Sequence, residues 1–379
     1  MSKQKVMMNN TTVPGWLERS SRFARIGAAV ALSMLLIGCG QFGAEAIKGS
    51  RTDYNLALRQ TEDEQMLLNL VRLRYRDRPY FLELSALNTQ FLFAPSAEAS
   101  ATTDFDGGGL YNLKGRIAFE EKPTVTYTPL QGDQFVNRLL TRVSLRTLFL
   151  LDGGGWSTRR VLRVCIEALN ALDNASKASG PTPNEPPKFT DFREAIDLLA
   201  GFAEERAVHV VDKGTHETPE LAYRFRPDVL DSPSYRRLTQ LLQVDAALGE
   251  YPITVNAQKP RSNAINIRTR SYLGIMYFLS HGAEIPADDA EAGYVTVTQD
   301  PAGGTFDWLR ITDRLMHIRS SEARPTAASV AVTHRGHWFY IDDSDLDSKS
   351  TFSLLGQLFA LQAGGAEGMK PVLTLPIGG

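Results

Sequence analysis

The residues best suited to chemistry form an acidic segment, Asp342-Asp343-Ser344-Asp345-Leu346-Asp347-Ser348. Three of its acids alternate as at the start of a calcium-binding loop, namely Asp343, Asp345 and Asp347. A loop of that type also needs Gly at its sixth position and an acid at its twelfth, where this sequence has Ser348 and Leu354. Alternatively, the acids precede a helix that Asp347 or Ser348 caps. We expect helix capping here and keep calcium binding at the three acids as the alternative.

Two histidines, His334 and His337, flank the dipeptide Arg335-Gly336, and aspartates lie nearby in the sequence. Imidazole and carboxylate groups bind transition metals when three or four of them converge. The local spacing shows only two such ligands. We therefore expect a solvated turn, with a transition-metal site as the alternative.

An alternating basic run, Arg72, Arg74, Arg76 and Arg78, precedes Pro79. One interpretation is that these cations bind lipid phosphates or an acidic partner. The interpretation that we favour is that they complement the dipole at the end of a helix and pair with nearby acids.

Sequence signatures of catalysis are missing from the chain. After residue 38 it contains no Gly-x-Ser-x-Gly, no Ser-x-x-Lys and no His-Glu-x-x-His, and its two Gly triplets lack the residues of a phosphate loop. A site assembled from distant residues stays open, because geometry rather than spacing defines it.

The amino-terminal region has the order of a secretory signal peptide. Residues 1–25 contain five basic residues, residues 26–37 are uncharged, and Leu36-Ile37-Gly38-Cys39 follows. As a helix, the uncharged run spans about 18 Å at ~1.5 Å per residue, against ~30 Å for the hydrocarbon core of a bilayer. A cleaved signal peptide is therefore expected rather than a permanent transmembrane helix.

Leu36-Ile37-Gly38-Cys39 resembles the lipobox of bacterial lipoproteins. The resemblance implies cleavage before Cys39 and a diacylglyceryl group and N-acyl chain on that cysteine. It also implies a sorting rule by which Asp after the cysteine retains the protein in the inner membrane. Because Gly40 stands there, we expect a lipid anchor in the outer membrane, with the body facing the periplasm.

Composition is that of a globular protein, with 379 residues, 43% hydrophobic and 22% charged. Five of the 41 basic residues and one of the 43 acids precede Cys39, which leaves a net charge of −6 for the rest. This balance gives no reason to expect a nucleic-acid partner. The second cysteine, Cys165, lies in an apolar run and is expected to be a buried, inert thiol.

The elements that must position these residues alternate between helices and neighbouring strands. The pattern predicts helices over 53–76, 135–141, 157–172, 272–279 and 349–363, with further helices after Thr190 and Ser232. It predicts strands over 81–93, 110–119, 124–128, 207–212, 221–226, 251–256, 264–269, 294–298, 306–311, 315–318 and 371–376, and a loop over 96–109. A hairpin is predicted over 330–341. This order indicates an α+β fold with a mixed, largely antiparallel sheet and packed helices, after a cleaved signal peptide.

The predicted organisation has five parts: a signal peptide (1–38), a lipidated tether (39–52), an amino-terminal α+β region (53–172), a Pro- and Ser-rich linker or loop (173–188) and a carboxy-terminal α+β region (189–379). Four prolines among Ser, Asn and Gly mark the fourth part, a composition that disfavours a packed core.

Segments 54–57, 65–75, 123–132 and 338–352 resemble a group of proteobacterial lipoproteins of unknown function. The resemblance implies a lipoprotein and assigns no activity. We predict a non-enzymatic outer-membrane lipoprotein that binds or scaffolds an envelope protein partner, with the bilayer bound through its acyl chains and no other cofactor. The alternatives are an envelope hydrolase whose site includes Asp343, Asp345 or His337, and a calcium-stabilised periplasmic binding protein.

Overall fold

A computed structural model describes residues 52–103, 109–214, 220–255, 257 and 261–363. Among the described residues, those from Glu64 onward belong to one compact unit, and residues 52–63 belong to another. Among the described helices, none combines the length and apolar character needed to cross a membrane. The predicted signal peptide, the lipidated tether up to residue 51 and the predicted strand over 371–376 lie outside the described residues.

The first helix, α1, covers residues 52–74, close to the predicted 53–76. Its apolar positions Leu67, Leu70 and Val71 are fully buried because they recur at helical spacing on one face. Asn69 lies on the same face, where its amide accepts a hydrogen bond from the Tyr80 N–H at 2.9 Å and donates one to the Tyr80 carbonyl at 2.8 Å. This buried amide fixes the direction in which the chain leaves the helix.

A long two-stranded ribbon follows α1. Its antiparallel strands are β1, Leu82–Thr103, and β2, Gly109–Pro129. The predicted loop over 96–109 is wrong for residues 96–103, because Ala alternates there with polar residues and no Gly interrupts the strand. The two strands predicted over 110–128 are one, since Pro123 is tolerated on a strand that pairs with a single neighbour among the described residues.

Short helices connect the ribbon to the main sheet. They are α2, Gly132–Phe135, continued by a π-turn, Val136–Leu140, then α3, Leu145–Gly153, and α4, Thr158–Cys165. The helix predicted over 157–172 is wrong in its second half, where β3, Ile166–Leu169, and β4, Leu172–Asp173, follow directly.

The guanidinium of Arg270 explains why α4 stops at Cys165. It is fully buried and donates to the carbonyls of Arg163, Val164 and Ile166 at 3.2, 3.1 and 2.7 Å. The amide of Asn174 donates to the first and last of these at 2.8 and 2.7 Å. Carbonyls at the end of a helix lack intrahelical partners, so these donors stabilise an abrupt change from helix to strand.

The central sheet has six strands in the order β4-β3-β8-β7-β6-β5. Its remaining strands are β5, Val208–Asp212, β6, Leu221–Phe225, β7, Glu250–Val255, and β8, Ile265–Thr269. Only the β7–β8 pair of this sheet is parallel. The predicted α+β fold with a largely antiparallel sheet is confirmed.

Three further helices surround this sheet: α5, Thr190–Glu204, contacts β4 and β5, α6, Pro233–Leu242, packs against α5, and α7, Tyr272–Ser280, packs against α4. The predicted cap at Ser232 is confirmed, since its hydroxyl accepts the Tyr235 N–H at 3.1 Å. In α7, seven of nine residues are buried, which its nearly continuous apolar sequence requires.

The segment over 173–188, predicted as a linker or loop, is irregular but packed. Ala175 and Ala178 are fully buried, and a 3₁₀ turn spans Ser176–Ser179. The Thr182 hydroxyl and carbonyl accept hydrogen bonds from Arg74 and Arg76, each at 3.0 Å. Contacts with distant arginines therefore compensate for the small apolar area of this segment.

The carboxy-terminal part contains α8, Ala287–Glu291, α9, Leu309–Thr312, and a three-stranded sheet of order β10-β11-β9. Its strands are β9, Arg319–Ser321, β10, Ala328–His334, and β11, His337–Asp342. The predicted hairpin is confirmed. The strands predicted over 294–298, 306–311 and 315–318 are wrong. Apolar residues of this region such as Trp308 and Ile311 are buried, but they lie in turns and a short helix rather than in strands. The last helix, α10, is Leu346–Ala363, and it keeps an exposed side.

Candidate functional site

The structure gives each predicted calcium ligand of the acidic segment a partner of its own. The Asp343 carboxylate contacts the Lys349 ammonium at 2.5 Å. The Asp345 carboxylate accepts the Ser348 N–H at 3.0 Å and its hydroxyl at 2.6 Å. The Asp347 carboxylate contacts the Arg160 guanidinium at 2.6 Å. These three carboxylates do not converge on one point.

Asp345 caps α10, because its side chain accepts the N–H of the third residue of that helix. The predicted caps, Asp347 and Ser348, lie within the first turn instead. Asp342 begins the segment, where the Ser344 hydroxyl and N–H donate to its carboxylate and hold the pKa of that carboxyl below its usual range. The acidic segment therefore stabilises the start of a helix by local hydrogen bonds.

His337 does meet carboxylates, but they come from a distant part of the chain. One ligand atom each from Asp288, Asp289 and His337 lies within 4.8 Å of the other two, the one such group of three found among the described residues. The His337 Nε2 atom lies 3.2 Å from the Asp288 carboxylate. We call these three residues the Asp–Asp–His triad.

Two short elements position the triad. Asp288 and Asp289 lie in α8, and His337 opens β11 directly after the hairpin turn. In that turn Arg335 has φ 51° and Gly336 has φ 91°, the left-handed conformations of a two-residue hairpin loop. The turn sets the register that pairs His334 with His337.

Asp289 is the buried member of the triad, with 6% of its side chain exposed. Its Oδ2 atom accepts a hydrogen bond of 2.6 Å from the Tyr75 hydroxyl. Burial, followed by this hydrogen bond and the negative charge of Asp289, raises the pKa of Tyr75 above its usual value. Tyr75 therefore remains a neutral hydroxyl that orients the carboxylate.

Among the described residues, the cation that pairs with Asp289 is Arg335, whose Nε lies 3.9 Å from Oδ1. The guanidinium is placed over the ring of Tyr294, 3.9 Å from the ring centroid. A cation–π contact of this geometry is favourable, so it holds Arg335 beside the carboxylate rather than directly on it.

His334, the other predicted histidine, does not join the triad. Its Nε2 lies 3.2 Å from the Asp77 carboxylate, and its ring meets Tyr75 edge-on at 5.0 Å. Burial lowers the pKa of His334 although Asp77 opposes that change. The two histidines are therefore paired across the turn, but each lies beside a different carboxylate.

The basic run before Pro79 does not form one surface. Arg74 is buried and donates to Thr182 and to the Thr296 carbonyl, at 3.0 and 3.3 Å. The favoured prediction that the run pairs with acids is wrong for Arg74, whose partners are a hydroxyl and a carbonyl. Cys165 is buried as predicted, and burial raises the pKa of its thiol to about 12. Cys39 lies outside the described residues.

Comparison with known proteins adds no relative: no protein-family model, no curated protein and no solved structure matches the chain. The triad was missed in the sequence because Asp288 and His337 are far apart along the chain. The available signal was a pair of adjacent acids at the start of a short helix, which by itself indicates only a favourable dipole interaction.

Proposed function

We propose that the protein is an outer-membrane lipoprotein, anchored by acyl chains on Cys39, whose periplasm-facing body binds or scaffolds an envelope protein without catalysing a reaction. The observation that carries the proposal is the order of a basic region, an uncharged run and Leu36-Ile37-Gly38-Cys39. Two or three acyl chains bind a bilayer firmly without any apolar surface on the body, at about 0.8 kcal/mol per buried methylene.

The β1–β2 ribbon supports a binding role for the body. Its strands have 22 and 21 residues, and in the described part of the chain they pair only with each other. A ribbon of this length extends about 70 Å at ~3.3 Å per residue. Isolated two-stranded ribbons are marginally stable, and unpaired strand edges accept a strand from another protein.

The sequence of the ribbon alternates between two sets of residues along both paired strands. One set is mostly apolar: Leu87, Phe91, Phe93, Pro95, Ala97, Ala99, Ala101, Tyr111, Leu113, Ile117, Phe119 and Val125. The residues between them are mostly polar: Asn88, Gln90, Ser96, Glu98, Ser100, Asn112, Lys114, Arg116, Glu120, Lys122 and Thr124. Such alternation in a sequence is typical of strands that bind a partner through their apolar residues.

The anchor is tested by labelling cells with a fatty acid. The wild-type chain is expected to incorporate the label, whereas Cys39→Ser is expected to incorporate none and to remain uncleaved. Gly40→Asp is expected to move the labelled protein from the outer-membrane to the inner-membrane fraction, with Gly40→Ala as the matched control. An unlabelled wild-type protein, or a Cys39→Ser variant that is still cleaved and membrane-bound, would contradict the anchor.

The binding role is tested by shortening the ribbon. Replacing residues 88–124 with Asn-Gly closes the Leu87–Val125 pair by a two-residue turn and keeps the base of the ribbon. We expect the body to keep its melting temperature and the chain to lose its crosslinked partner in membranes. A partner that crosslinks equally well to the shortened protein would refute the ribbon as the docking element.

A further inference from the structure

We propose that Asp288, Asp289 and His337 bind a divalent transition metal of the zinc class. This metal site goes beyond the proposed function, because a lipid-anchored scaffold needs no metal. It rests on the convergence of the three side chains and on the burial of one of them.

The donor set has the composition of a zinc site with an open position. Three protein ligands, one imidazole nitrogen and two carboxylate oxygens, lie within 4.8 Å of one another. Zinc takes such ligands at about 2.0–2.2 Å, which requires them to stand about 3.4 Å apart in a tetrahedral site. The His337 and Asp288 atoms are already 3.2 Å apart. The other ligand atoms lie within 4.8 Å of one another, so side-chain movements of up to about 1.4 Å complete the geometry.

The burial of Asp289 is a second observation that points to a cation. Its carboxylate is 94% covered, and its hydrogen-bonding partner is the neutral hydroxyl of Tyr75. The guanidinium of Arg335 lies 3.9 Å away, beyond hydrogen-bonding distance. Buried charges are normally paired closely or bound to a metal. A metal ion between Asp289 and His337 provides the close positive charge that Arg335 does not.

Tyr75 acts on the site as an outer partner. Carboxylates that bind metals are themselves held by hydrogen bonds, which fix the direction of the ligand atom. Tyr75 comes from the end of α1 and orients Asp289 from the buried side. Asp288 has 71% of its side chain exposed, so the opposite side of the site is open to a water ligand.

The ligand types select among cations. Carboxylates alone suit calcium and magnesium, whereas an imidazole nitrogen favours zinc and other first-row transition metals. Two carboxylates and a neutral imidazole also balance the charge of a divalent ion. Arg335 repels that ion, so its removal is expected to tighten metal binding.

The test uses the full-length lipoprotein in detergent, stripped of metal by a chelator and titrated with Zn²⁺. We expect one zinc per chain, a rise in melting temperature and a visible absorption band when Co²⁺ replaces zinc. His337→Gln and Asp288→Asn are each expected to weaken zinc binding at least tenfold. Tyr75→Phe is expected to weaken it about tenfold through the lost outer hydrogen bond.

Two controls separate the metal site from a simple ion pair. His334 is the cross-strand neighbour of His337, but its Nε2 lies beside Asp77 and not beside the triad. The His334→Gln variant is therefore expected to keep the zinc affinity of the wild type. Arg335→Asn keeps a residue that tolerates the left-handed conformation and is expected to raise zinc affinity severalfold. The proposal is overturned if the wild-type chain retains no stoichiometric zinc, if His337→Gln and Asp288→Asn bind zinc as the wild type does, or if Ca²⁺ binds as tightly as Zn²⁺.

Discussion

At the junction of α4 and β3, one buried cation organises the chain, while the acidic segment 342–348 collects several charges at the surface. The Arg270 guanidinium is 1% exposed, and it contacts carbonyl oxygens, the Ser179 hydroxyl and the ring of Phe278. In the acidic segment, Asp343 and Asp347 have 63% and 50% of their side chains exposed. The first region holds distant parts of the chain together from inside the core, whereas the second combines local hydrogen bonds with surface ion pairs to Arg160 and Arg319.

This difference shows that burial, rather than the number of charges, decides how much a polar group contributes to the stability of the fold. Removing the Arg270 guanidinium takes hydrogen bonds from several buried carbonyls at once, and each buried group that is left unsatisfied costs about 1–3 kcal/mol. An exposed ion pair contributes about 0–1 kcal/mol, since water screens it. The acidic segment is easily recognised in the sequence, whereas nothing in the sequence around Arg270 indicates its role.

The largest effect is expected for Arg270→Met. Burial lowers the pKa of Arg270 to about 10, so the group stays protonated at neutral pH. Methionine fills a similar volume but donates no hydrogen bond to the carbonyls at the end of α4. We expect a loss of about 3–5 kcal/mol in the free energy of unfolding, measured by denaturant titration.

Arg270→Lys is the matched control for that change. Lysine keeps the positive charge at the end of α4 but lacks the planar fork that reaches several carbonyls at once. We expect an intermediate loss of stability. If lysine restored full stability, the positive charge alone would stabilise the end of α4, and the hydrogen bonds of Arg270 would not be its main contribution.

A second, smaller effect concerns pH and the buried His281. Its ring lies against Trp308 with centroids 4.0 Å apart, and Nδ1 lies 2.6 Å from the Tyr277 carbonyl. Burial, aided by the charges of Arg74 and Arg270, lowers the pKa of His281 from 6.5 to about 3. Between these values the unfolded chain binds a proton that the folded chain does not. Stability is therefore retained above pH 6.5 and lost as the pH falls toward 3.

Within that pH window, His281 is expected to change the free energy of unfolding by about 1.4 kcal/mol per pH unit. His281→Phe keeps an aromatic ring beside Trp308 and cannot be protonated. The slope of unfolding free energy against pH is expected to be smaller for this variant than for the wild type. Equal slopes would show that His281 binds a proton as readily in the folded protein as in the unfolded chain, which would contradict its lowered pKa.

Local patterns account for the part of the fold that the sequence predicts. The α1 stripe, the Ser232 cap and the hairpin around Arg335-Gly336 depend on residues a few positions apart. The end of α4 was not predictable, because Arg270 reaches it from about a hundred residues further along the chain. The Asp–Asp–His triad was missed for the same reason, although His337 had been identified as one possible ligand.

The smallest effects are expected in the acidic segment, where Asp345→Ala and Asp343→Ala form a pair. Loss of the α10 cap at Asp345 costs about 1 kcal/mol, and Asp345→Asn should preserve most of it. Loss of the exposed Asp343–Lys349 pair costs less than about 0.5 kcal/mol. A calcium site would instead make both losses similar and would make them disappear with chelator. Thermal unfolding of these variants with and without chelator therefore decides whether the segment acts as separate local contacts or as one cation site.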